Sequence, residues 1–89
     1  MTRDEIRQAI RHFILSNFLP GEAPETLKDS TLLVSSGVIT SVSMIEIVDF
    51  IEVEFSLTVE PEDIGVGRMD TVDLLVELVV DKLRKGHPA

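Results

Sequence analysis

Apolar residues recur at helical spacing in three stretches of this chain, each bounded by residues that start or stop helices. In the first, Ile6, Ala9, Ile10 and Phe13 share one face, and Asn17 continues the spacing. Thr2 and Glu5 fit a capping box, so a helix is expected over residues 2–17. Pro20-Gly21 ends it. In the second stretch, residues 41–55, Met44, Ile47, Val48, Ile51 and Phe55 form a core-facing stripe. In the third, Val72, Leu75, Val76, Val79 and Leu83 repeat the pattern. Asp70 is a natural N-cap there, and the helix is expected to reach residue 85. Asp73 near its start and Lys82, Arg84 and Lys85 near its end match the helix dipole. Gly86 stops it, leaving residues 86–89 as a flexible tail.

Between these stretches the pattern is weaker. A long connection joins the first two helices up to Thr40, with Leu27, Leu32, Leu33, Val38 and Ile39 to pin it to the core and room for a helical turn around Leu32. Such length is unusual for a connection without a function of its own. Ser56-Leu57-Thr58-Val59 reads as extended. Pro61-Glu62-Asp63-Ile64 reads as the first turn of a brief helix that Gly65 and Gly67 end. No segment with strand periodicity is long enough for a sheet. The expected fold is all-α: a small four-helix bundle of three long helices and one short third helix, in one domain over residues 1–89.

Composition narrows the chemistry. Eighty-nine residues bury one modest core, and with four Phe as the only aromatics that core is aliphatic. Cysteine is absent, which excludes disulfides, zinc–thiolate sites and a cysteine nucleophile. Apolar runs are only a few residues long, so neither a membrane span nor a secretory signal is expected, and a soluble cytoplasmic monomer is the default. The two histidines are far apart, and the acidic segment lacks calcium-loop spacing, so no metal site is expected. His12 reads as a surface residue. No phosphate-cradling glycine loop and no catalytic apparatus is found.

The net charge of −8 lies in the middle of the chain. Residues 29–67 carry eight acids (Asp29, Glu46, Asp49, Glu52, Glu54, Glu60, Glu62, Asp63) and no Lys or Arg, while the remainder carries eight of each sign. Nucleic acid is a poor partner for such a surface, and a basic protein surface is a good one. A solubilising face is the alternative. In the second helix Glu46, Asp49 and Glu52, spaced three apart, repel one another and gain nothing internally. Val42, Ile45 and Val53 lie off the core stripe. They either complete a mixed apolar–acidic docking face with these acids or are covered by the long loop. Arg3, Arg7 and Arg11 form a basic stripe on the first helix, read as a solvated face that meets acids elsewhere in the fold.

Ser41 is the candidate functional residue. It follows the glycine-containing run Ser35-Ser36-Gly37-Val38-Ile39-Thr40 and heads the acidic helix. A hydroxyl there lies beside unpaired backbone N–H groups and the positive end of the helix dipole, where an attached phosphate would be stabilised.

Gly37-Val38-Ile39-Thr40-Ser41-Val42 and the acidic helix after it resemble the acyl carrier protein family. The order of elements over residues 2–85 is similar too, as is Glu52-Val53-Glu54-Phe55 followed by Leu57-Thr58-Val59. The resemblance implies an acyl-carrier type of bundle in which a phosphopantetheinyl transferase esterifies Ser41 with 4′-phosphopantetheine. The arm's thiol would hold cargo as a thioester, supplying the sulfur that the chain lacks. It further implies loading by an acyl- or aminoacyl-loading ligase. Docking to basic patches on synthase or transferase enzymes is implied through the second helix, with Thr40, Val42, Ile45, Glu46, Asp49, Glu52 and Val53 as its docking residues. Fatty acid or polyketide biosynthesis is the implied setting. The chain departs from the family's Asp-Ser-Leu at Thr40 and Val42, which retains an N-cap but removes an acid beside the serine; slower modification by a generic transferase is implied. A free-standing acyl carrier without catalytic residues of its own is therefore expected. An aminoacyl or peptidyl carrier is its near alternative, and an unmodified carrier-like adaptor a more distant one. A small hydrolase using Ser41 is the least favoured.

Overall fold

The computed structural model describes residues 2–84. Helix α1 (Arg3–Phe18) is opened by the expected capping box: Thr2 Oγ1 accepts from the Glu5 N–H, and the Glu5 carboxylate accepts from the Thr2 N–H. Helix α2 spans Ser41–Phe55, the expected bounds. A 3-10 turn (Pro61–Asp63) and a single α-turn, α3 (Val66–Met69), then lead into α4 (Val72–Arg84). Among the described residues the secondary structure is all helical, with three long helices and one short one. The expected helix end at Lys85, the Gly86 stop and the tail over 86–89 lie outside the described residues.

Helix α1 packs against α4, and the interior they share with α2 is aliphatic. From α1 come Ile6, Ile10 and Ile14, one row at i, i+4, i+8. The expected stripe was turned slightly off this axis: Ile14 belongs to it, Ala9 and Phe13 flank it, and Asn17 is exposed. From α2 come all five residues of the expected stripe. On α4 the buried face runs through Val72, Leu75, Val76, Leu78, Val79 and Lys82. Leu83, expected inside, is 38% exposed because Lys82 occupies the inward position at the end of that face. The four phenylalanines form a seam where α1 meets α2. The rings of Phe13 and Phe50 stack with centroids 4.2 Å apart, and Phe18 and Phe55 meet them edge-on.

Short segments depart from expectation for local reasons. The 3-10 turn stops before Gly65, which stands at the N-cap position of α3, whereas Gly67 lies inside α3 and ends no helix. Asp70 is not the cap of α4. Thr71 takes that place, its Oγ1 accepting from the Leu74 N–H, and the carboxylate of Asp70 is free to turn elsewhere. Lys82 lies in the last turn of α4, as expected, but its side chain is turned inward. Its ammonium lies 2.6 Å from Asp63, and both residues are buried. Asp63 also accepts from the Glu60 N–H and from Arg68. This cluster fastens the 3-10 turn and α3 to α4.

Ile14→Ala should lower unfolding stability by about 2–5 kcal/mol, since Ile14 is fully buried. Leu83→Ala should change it by no more than about 0.5 kcal/mol. Urea denaturation of both variants checks this; comparable losses would contradict the placement of the α4 face.

Candidate functional site

Residues 19–40 reach α2 with only one short helical element, a 3-10 turn over Pro24–Thr26. Side chains from both neighbouring helices hold this length in place. The basic stripe of α1 does much of the work. Arg11 donates to the carbonyls of Pro24 and Leu27 and to Asp29, while Arg7 pairs with Asp4 and Asp29 and Arg3 pairs with Glu77. The stripe thus meets acids elsewhere in the fold, as expected; Arg7 and Arg11 clamp the loop, while Arg3 stays solvated and reaches α4. The Asp29 carbonyl also accepts from the Asp73 N–H in the first turn of α4. Leu27, Leu33 and Ile39 are buried, as the pinning role requires. Val38 is half-buried, and Leu32 is exposed because Leu33 faces inward instead.

Nearer to α2 the loop is organised by Asp70. Its Oδ1 accepts from the N–H groups of Val34 (2.8 Å) and Ser35 (3.0 Å), and its Oδ2 from the Ser35 hydroxyl (2.7 Å). Its carbonyl accepts from the Leu33 N–H at 2.7 Å. Residues 34–37 make a turn closed by Gly37 N–H to Val34 O; the turn starts two positions beyond Leu32, around which one was expected. Gly37 adopts φ +86°, a left-handed conformation that costs a residue with a Cβ roughly 1–2 kcal/mol. The Ile39 N–H then returns to the Leu33 carbonyl, closing the loop one residue before Thr40.

Thr40 caps α2: its Oγ1 accepts from the Ser43 N–H at 3.2 Å, and its carbonyl from the Met44 N–H. Ser41 follows, exposed, and among the described residues its hydroxyl makes no hydrogen bond. The N–H groups of Ser41 and Val42 likewise have no partner among the described residues. The first turn of α2 contains no acid, so nothing within the helix offsets the positive end of its dipole. An exposed hydroxyl, free amides and an uncompensated dipole form a setting that fits a covalently attached phosphate.

Along α2 the remaining expected docking residues divide. Val42, Ile45 and Val53 are 72%, 58% and 74% exposed, so the loop does not cover them. Ile45, Glu46, Asp49 and Val53 line an open groove of about 540 Å³ together with Phe13 of α1 and with Phe50 and Glu54. Two adjacent i, i+4 rows, 45/49/53 and 46/50/54, build its α2 wall. Glu46, Asp49 and Glu54 enter no ion pair among the described residues. Glu52 stands apart: half-buried, it accepts from the Val59 N–H at 2.9 Å and ties down the segment after α2. Thr40 and Val42 lie at the head of the helix, outside the groove lining.

The residues missed were Phe13, Phe50, Glu54 and Asp70. Phe50 could have been found from its i+4 spacing to Glu46. Asp70 could not, since nothing in sequence distinguishes a cap from an acceptor for a loop far away in the chain. Among the described residues no group of three or more His, Cys, Asp or Glu is arranged to hold a metal ion, and no helix is long and apolar enough to cross a membrane. Compared with known protein families, characterised proteins and solved structures, the chain matches none.

The two buried carboxylates differ in what lowers their pKa. For Asp70 the leading cause is the bond from the Ser35 hydroxyl, followed by the Ser35 amide. For Asp63, burial pushes upward, but the bond from Lys82, the Glu60 amide and the nearby charges outweigh it. Lys82 is raised, chiefly by its bond to Asp63. The stability that Asp63 and Asp70 contribute is complete above their ordinary value of 3.8 and is lost as pH falls through their lower folded values. The contribution of Lys82 is complete below its ordinary value of 10.5 and is lost as pH rises through its higher folded value. Denaturant midpoints measured against pH should therefore fall at both extremes, and Asp70→Asn should flatten the acid limb. An unchanged acid limb in that variant would contradict the role given to Asp70.

Proposed function

We propose that this chain is a free-standing carrier protein of acyl-carrier type, with Ser41 as the attachment point for 4′-phosphopantetheine. The observation that carries the reading is the environment of the Ser41 hydroxyl. It is exposed and unpartnered, in the first turn of a capped fifteen-residue helix, at the end of a loop held from two sides. Once attached, the arm supplies a terminal thiol able to hold an acyl or aminoacyl group as a thioester. The chain's own part is to present the hydroxyl, to place unpaired amides beside the phosphate and to offer a surface to other enzymes.

The groove face of α2 supports the second half of the reading. Glu46, Asp49 and Glu54 find no cation within the described fold, and Ile45 and Val53 remain open to solvent. A partner with a basic patch around an apolar contact would satisfy both. On this reading the partners are a phosphopantetheinyl transferase, an acyl- or aminoacyl-loading ligase, and synthase or transferase enzymes in fatty acid or polyketide synthesis. The setting is cytoplasmic, and the protein acts as a monomer.

Incubation with coenzyme A and a broad-specificity phosphopantetheinyl transferase should add one phosphopantetheine to the wild-type mass and none to Ser41→Ala. No gain with any transferase would instead favour an adaptor that uses the acidic face without modification, a reading to which Thr40 lends weight. Reversing the charges of Glu46 and Asp49 to Lys should weaken binding to a modifying or loading enzyme and reduce its salt dependence, with helix content by circular dichroism nearly unchanged. Undiminished affinity would mean that docking occurs on another face.

A further inference from the structure

The geometry points to Asp70 as the positioning residue for Ser41: its carboxylate, supplied from the junction of α3 and α4, fixes the loop that a modifying enzyme must meet before reaching the serine hydroxyl. This inference rests on the tethering role proposed above for Ser41.

Asp70 lies 29 positions after Ser41 and bonds to neither Ser41 nor Thr40. Its reach is through the loop. The carboxylate and carbonyl of this one residue accept from three consecutive N–H groups, Leu33, Val34 and Ser35, and from the Ser35 hydroxyl. The Leu33 carbonyl takes the Ile39 N–H, so the outgoing and returning limbs of the loop are joined directly above these bonds. Leu33 and Ile39 are 0% and 1% exposed, anchoring both limbs. Between them Ser35, Ser36 and Gly37 are exposed, and Thr40 and Ser41 continue that exposed surface onto the helix. Any enzyme approaching the Ser41 hydroxyl along the helix end meets this surface.

The burial of Asp70 adds weight. A carboxylate only 7% exposed, with no cation paired to it among the described residues, is held by neutral donors of one loop. The helix cap of α4 is supplied by Thr71, so capping does not require Asp70. What does use it are the Val34 and Ser35 N–H groups and the Ser35 hydroxyl, which have no other acceptor among the described residues.

Loss of the carboxylate should let the loop populate open conformers. An enzyme that binds only the ordered loop then sees a reduced competent fraction, and its apparent KM rises by the reciprocal of that fraction. Once bound, the loop is re-formed and kcat is little altered. A change in overall stability that leaves the protein folded at the assay temperature would move neither parameter.

The test uses the full chain, coenzyme A and a broad-specificity phosphopantetheinyl transferase, with kcat and KM for the protein substrate measured separately. Asp70→Ala, Asp70→Asn and Ser35→Ala are compared under conditions where circular dichroism shows each to be folded. Asp70→Ala is expected to raise KM on the order of tenfold, with kcat largely retained. Asp70→Asn keeps one oxygen for the Val34 and Ser35 amides, and Ser35→Ala keeps the carboxylate, so each should raise KM by less. If Asp70→Ala does not fold, the other two carry the test. Amide hydrogen exchange should quicken at Val34, Ser35 and Ile39 in the same order as the KM values. Modified wild type with unaltered KM in every folded variant would overturn the inference alone, even if exchange quickens. Failure of the wild type to be modified would overturn the tethering reading and this inference with it.

Discussion

A buried carboxylate surrounded by backbone N–H groups has few alternatives to the arrangement that satisfies it, and Asp70 imposes that constraint on this fold. The connection between α1 and α2 has little helix with which to pair its own backbone. Its polar groups must find partners on neighbouring elements or in water. Asp70 supplies those partners at the end nearest α2, and Asp29 with Arg7 and Arg11 supplies them at the other end. Because both anchors bridge to α1 or α4, the position of Ser41 depends on the packing of helices to which it does not belong.

The charge imbalance of the central segment acquires a structure on folding. Two of its acids, Asp29 and Asp63, are consumed by bases from outside the segment: Arg7 and Arg11 for one, Arg68 and Lys82 for the other. Glu52 is spent on the Val59 amide. Glu46, Asp49 and Glu54 are left on the outer side of α2, beside the exposed Ile45 and Val53 and the Phe13–Phe50 stack. Mutual repulsion there is a small cost in an isolated helix. It becomes useful if a cationic surface is to be attracted, since unpaired charges steer encounter more effectively than neutralised ones.

How much was legible in the sequence follows from the range of each interaction. Thr2 with Glu5, the stripe of α2 and the cap at Thr40 are decided within one or two turns, and each was read correctly from spacing. Leu83 was misplaced because two adjacent positions compete for the inner face at the end of α4. A lysine wins there only through Asp63, which sequence alone does not bring near. Asp70 was misread for a related reason: a residue that satisfies every local rule for a cap was drawn off by donors 35 and 36 positions away. The exposure of Val42, Ile45 and Val53 stood as one of two alternatives, since a loop long enough to cover them gives no sign of the side on which it lies. The setting of Ser41 was legible because a hydroxyl at a helix start needs only its neighbours.

The most direct measurement of whether the chain is a tether is peptide mass mapping of the protein recovered from its own cells. The expected result is a fragment spanning Ser41 that carries one phosphopantetheine in a measurable share of molecules. A fragment uniformly bare at that oxygen, in cells whose own transferase is active on other proteins, would contradict the proposed carrier function.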